Sequence, residues 1–175
     1  MTSPSEFTRL HEAMGVTLSA QLPRIKHIEA YPNDARSMSL PALFFALIGL
    51  RDAPDPGDGR QVVEGRFQAC LLVDGARERA SLQAAILASE LARLLRGQYW
   101  GLEFVEEPTA IQAQADGALP ELDQFAVWTV EWSQRVHLGD EEWPWPEEDQ
   151  RLVFGLNLAG GDDASDTVVE PETLE

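Results

Sequence analysis

Gln124-Phe125-Ala126-Val127-Trp128-Thr129-Val130-Glu131-Trp132-Ser133-Gln134-Arg135-Val136-His137-Leu138 is the stretch whose reading decides the fold. Ala126, Trp128, Val130, Trp132, Val136 and Leu138 fall on one side of an extended chain. Phe125, Thr129, Glu131, Ser133, Arg135 and His137 make the other side mostly polar. Alternation of this kind marks a half-buried strand, because successive side chains point to opposite faces. If straight, the strand would run about 50 Å, far beyond the usual five or six residues. One strand of that length predicts a sheet with an apolar face that something must cover.

The preceding sequence supplies the cover and the neighbouring strands. Ser3, Pro4 and Glu6 read as a helix start, with Ser3 as cap and Glu6 completing a capping box. Phe7, Leu10, Met14, Leu18 and Leu22 then recur at helical spacing until Pro23. Residues 26–30 read as a short strand. Leu40-Pro41-Ala42-Leu43-Phe44-Phe45-Ala46-Leu47-Ile48 is a continuous apolar run, read as a buried strand. Asp55-Pro56-Gly57-Asp58-Gly59 is a turn, and 66–73 is the next strand, so the two form a hairpin with a long loop. Asp74 is placed to cap a second helix, with Leu82, Ile86, Leu87, Leu91, Leu94 and Leu95 as its buried face and Gly97 as its end. Residues 98–122 are mixed, with a possible strand at 102–105. The expectation is an α+β fold: a single, mostly antiparallel sheet with two main helices on one face.

Charge divides the chain. It has 175 residues, 30 acids and 13 bases, for a net −17, and 44% of its residues are hydrophobic. Residues 140–175 hold 12 of the acids and one base, Arg151. The expected organisation is therefore a domain over 1–139 and an irregular acidic extension over 140–175, punctuated by Trp143-Pro144-Trp145-Pro146. So acidic a chain is a poor candidate for binding nucleic acid or an anionic membrane, since phosphate affinity comes from Lys and Arg. The single cysteine, Cys70, rules out an internal disulfide and suits a reducing compartment. The longest apolar run, 40–50, falls short of a membrane span, and no secretory signal is evident.

No motif carries chemistry. His11, His27 and His137 stand apart from one another and from Cys70. Cys70 sits inside an apolar strand, where a buried hydrophobe is expected rather than a nucleophile. Asp52, Asp55 and Asp58 cluster in the hairpin loop, but Pro54 and Pro56 break calcium-ligand spacing and no Glu closes the loop. Glu106-Glu107 and Glu141-Glu142 are adjacent only in sequence, which does not give two carboxylates unequal environments. The expectation is no enzyme, no metal and no cofactor. Association remains. Trp132, Trp143 and Trp145 are candidate interface anchors, together with the loop residues Asp52, Asp55, Asp58 and Arg60.

The element order resembles that of the tail terminator proteins of long-tailed bacteriophages, a lambda-like family of small subunits. The matching elements are the helix at 7–22, the strand opening Leu40-Pro41-Ala42, the loop 52–60, the strand 66–73, the helix ending at Arg96, and the last long strand. Residues 122–132 are similar to tail-region proteins of Mu-type phages. The resemblance covers 6–139 and leaves out the acidic extension. It implies a structural virion protein at the head-proximal end of the tail, made in the host cytoplasm. It implies a homohexameric ring that binds the tail-tube protein, stops its polymerisation and offers the other face to a head-completion or stopper protein. Genomic DNA would pass through the lumen without specific binding. The alternatives are another head–tail connector or tail-completion protein, or an acidic inhibitor that binds a host protein.

Overall fold

The computed structural model describes residues 5–31, 38–116 and 124–140. The extension from 141 onward, with Trp143 and Trp145, lies outside the described residues, as do Ser3 and Pro4.

Helix α1 spans Glu6–Gln21, and its cap is Ser5 rather than the expected Ser3. The Ser5 hydroxyl accepts the Thr8 N–H at 3.3 Å, satisfying one of the orphan donors of the first turn. Leu10, Met14 and Leu18 form its buried face. The helix closes where the Leu22 N–H bonds the Leu18 carbonyl at 2.9 Å, and Pro23 has no N–H to carry it on.

Five strands follow, with a second helix among them: β1 His27–Ala30, β2 Ala42–Asp52, β3 Gln61–Asp74, α2 Ala80–Leu95, β4 Thr109–Asp116 and β5 Phe125–Leu138. They form one sheet in the order β1-β2-β3-β5-β4. β1 runs parallel to β2, and every other pairing is antiparallel. The hairpin arms are longer than the apolar runs alone suggest, because β2 and β3 stay paired out to Asp52 and Val63. β3 and β5 pair along their whole length, from Gln61 opposite Leu138 to Asp74 opposite Phe125.

Both helices pack on one face, as expected. The core holds the α1 residues above, Leu87, Leu91 and Leu95 of α2, and alternate residues of the strands: Leu43 and Phe45, Phe67 to Val73, Val130, Trp132 and Val136. Trp132 is 1% exposed and stacks on Phe67 with ring centroids 5.5 Å apart. On the other face a small cluster joins Ala42, Phe44 and Leu72 to Met38, Leu40, Cys70 and Phe125.

Three expectations are corrected. Asp74 does not cap α2. Its carboxylate accepts the Ala76 N–H at 3.0 Å, forming a turn, and the cap position is Arg79 in a left-handed conformation. The buried stripe of α2 is Ala80, Ala84, Leu87, Ala88, Leu91 and Leu95, and it leaves Leu82 and Ile86 exposed. The stripe alternates alanines with leucines at helical spacing, which turns the neighbouring Leu82 and Ile86 outward. Residues 102–105 make no strand, only a single bridge from Val105 to Val136. The strand in that region is β4.

One buried polar group fastens the connection between α2 and β4. Gln134 is fully buried; its amide oxygen accepts the Trp100 indole N–H at 2.9 Å, and its amide nitrogen donates to the carbonyls of Gln98 and Glu106. The Glu6 carboxylate accepts the Gly139 N–H at 3.2 Å, which ties the end of β5 to the start of α1.

Candidate functional site

The hairpin tip orders itself. Pro54 and Pro56 stiffen it, and Gly57 and Gly59 take positive φ values of 80° and 86°. The Asp55 carboxylate accepts the Gly57 N–H at 2.7 Å, and Asp58 accepts the Arg60 backbone N–H at 3.1 Å. The Arg60 guanidinium also donates to Asp58, through Nε at 2.9 Å, and holds that carboxyl below its ordinary range. Asp52 and Asp55 are exposed, while Asp58 and Arg60 are half-buried. The structure thus brings Asp58 and Arg60 together and leaves Asp52 and Asp55 facing water. Among the described residues no three His, Cys, Asp or Glu side chains converge on a point that could hold a metal. Beside the tip, Arg60 shares a polar groove with Glu6, Arg9, Phe104 and Gly139.

Trp132 is not at a surface. It lies in the core beneath the helices, and its indole N–H has no hydrogen-bond partner. Trp128, on the same face, is half-buried against that core.

The open features of the described surface are the two sheet edges. Among the described residues β1 bonds only β2, and Tyr31 continues it by donating its backbone N–H to Phe45 and accepting the Leu47 N–H on its hydroxyl at 3.1 Å. Farther along that edge Ile48 and Leu50 of β2 are 42% and 55% exposed. Between β1 and α1 lies a groove of about 870 Å³, with Ile28, Ala30 and Phe45 as floor and Gly15, Val16 and Ala20 among its walls. Val16 is 71% exposed, a large fraction for a valine on a helix that packs on a sheet. β4 forms the opposite edge, with six of its eight residues exposed.

The helix-free face is a polar ladder. Arg51 pairs with Glu64, Arg66 lies 3.7 Å from Glu131, and Glu131 also accepts from Gln68 and Gln112. Thr129 donates to Asp116 at 3.2 Å. Each of these arginines has a carboxylate beside it. Cys70 belongs to this face, and burial raises its thiol to about 11. At pH 8 roughly one molecule in a thousand would carry the thiolate, against about one in four for a free cysteine. Alkylation of the folded protein should therefore be at least 100-fold slower than in denaturant, and should quicken about tenfold per pH unit toward 11 while the fold persists. Equal rates in the two states would refute the buried assignment.

Sequence reasoning misses β4 because its residues, Thr-Ala-Ile-Gln-Ala-Gln-Ala-Asp, lack the apolar alternation of a half-buried strand. It also misses the α1–β1 groove, whose only signal is Val16 on the polar side of a helix. No helix among the described residues is long and apolar enough to cross a membrane.

No protein-family model and no curated protein matches the chain. Among solved structures it is similar to a chain of the cryo-EM structure of an extracellular contractile injection system, PVC sheath/tube terminator in extended state. The TM-score is 0.44 at 14% identity, over 91% of this chain and 67% of that one. A likeness at this level carries no inference about function.

Proposed function

We propose that the protein is a structural subunit of a tail terminator, acting by assembly and without chemistry. The observation that carries this reading is the sheet, whose two edges are unpaired among the described residues while a stiff acidic hairpin tip stands at its end. A strand edge left open exposes backbone donors and acceptors that another chain can complete. The element order that resembles the phage tail terminators points to the same kind of part. In this reading six copies close a ring, one face of which matches the last ring of the tail tube. The other face differs from the tube, so growth stops there and a head-completion protein can dock. DNA passes through without specific binding, as 13 bases against 30 acids leave little cationic surface.

Mass measurement in solution beside electron microscopy of the purified protein tests this. A six-membered ring, free or on tube ends, is expected. A monomer that caps no tube and instead titrates a basic host protein would favour the inhibitor reading.

The hairpin tip is the proposed tube contact. Deleting 54–58 should leave the melting temperature nearly unchanged, because the loop carries no core side chain and shortening it costs little closure entropy. The same deletion should yield tails of uncontrolled length. Normal tails and infectious particles would reduce the loop to a connection.

A further inference from the structure

We propose that β4 of one copy adds to the outer edge of β1 in the next, so that one sheet continues from chain to chain. This rests on the reading that the protein works as a ring of copies, and it names the surfaces that make the ring.

β4 is bonded to β5 on one side and to no other strand among the described residues. Proteins that must stay apart guard such edges with lysine, proline or an inward-pointing charge. β4 has no lysine and no proline, and its one charge, Asp116, sits at its very end, on the helix-free face beside Thr129. At the far side of the sheet β1 is open in the same way. Two open edges at opposite ends of one sheet suit a head-to-tail contact, which is the kind that closes rings.

The side chains match face by face. Ala113 and Ala115 of β4 lie opposite Val130 and Trp128, so they point to the helix side. Both are exposed. On the helix side of β1 lies the shallow groove between it and α1, lined by Ile28 and Ala30 and by Val16 and Ala20. A strand added to β1 would lay its helix-side residues along these apolar side chains. Gln112 and Gln114, on the other parity, would extend the polar ladder of the helix-free face.

The sparse charge on the two edges leaves a second copy free to be the occupant. Each chain carries −17, so copies repel over most of their surfaces. Few charges sit on the two edges: among the described residues β4 has Asp116, β1 has Glu29, and Glu12 lines the groove. A basic partner would be drawn to the acidic surfaces instead.

Two double variants test the contact, each changing only exposed side chains: Val16→Glu with Ala20→Glu, which blocks the groove, and Ala113→Glu with Ala115→Glu, which blocks the edge. Circular dichroism and melting verify that both fold. The wild type should assemble in analytical ultracentrifugation, and each variant alone should run as a monomer, its self-association weakened at least about tenfold. An equimolar mixture should give a one-to-one dimer and nothing larger, because each copy keeps one working surface. Assembled wild type with a mixture that stays monomeric, or with an edge-blocked variant that still assembles, would move the contact elsewhere and leave the ring standing. Dimers of the groove-blocked variant alone would mean that β4 pairs with β4. Strong protection from hydrogen exchange of the β4 amides that point away from β5, in a monomeric wild type, would show that the chain covers its own edge. A wild type that stays monomeric up to millimolar concentration, and forms no ring on tubes, would remove this contact and the ring together.

Discussion

Replacing Trp132 by alanine should cost about 4 kcal/mol of folding stability and lower the melting temperature by about 10 °C. The side chain is 1% exposed, lies flat on Phe67 with 12° between ring planes, and belongs to the same core cluster as the buried residues of both helices. Removing it empties a volume that close-packed neighbours cannot fill. Trp132→Phe should be much milder, about 1–2 kcal/mol, since the indole N–H has no partner to lose and an aromatic stack remains. Thermal denaturation followed by circular dichroism measures both. A Trp132→Ala variant that melts with the wild type but no longer assembles would return this residue to the interface.

Gln134→Leu should be nearly as costly, about 3 kcal/mol by urea denaturation, although leucine is the apolar side chain of closest size. The amide accepts from the Trp100 indole and donates to two backbone carbonyls in the interior. Leucine would leave those three groups facing hydrocarbon, and an unpaired buried polar group costs about 1–3 kcal/mol. Adding Trp100→Phe to Gln134→Leu removes the stranded indole N–H, so the double variant should recover part of the loss beyond additivity. A single variant as stable as the wild type would mean that water takes over these bonds.

The sequence alone determines the main elements. The alternation through Val130, Trp132 and Val136 sets β5 and its buried face, because a strand's period of two leaves one choice of side. The spacing of Leu10, Met14 and Leu18 likewise sets α1, and the proline–glycine turn sets the hairpin. The same reading also anticipates that both helices cover one face, since β5 has only one apolar side to cover.

Tertiary structure decides what a single segment cannot encode. β4 is a strand because β5 offers it a free edge, and its alanines and glutamines would be ambiguous anywhere else. Leu82 and Ile86 look like core residues but are exposed, because α2 turns the face of Ala80, Ala84, Leu87, Ala88, Leu91 and Leu95 inward instead. Trp132 looks equally suited to a core or an interface until its stack on Phe67 places it inside. Gln134 looks like one polar residue among several, until the fold brings Trp100, Gln98 and Glu106 around it. The groove between α1 and β1 exists only because the fold sets Gly15, Val16 and Ala20 beside Ile28, Ala30 and Phe45. In each case the deciding term is a contact between residues far apart in the chain, whereas local sequence encodes periodicity and backbone preference.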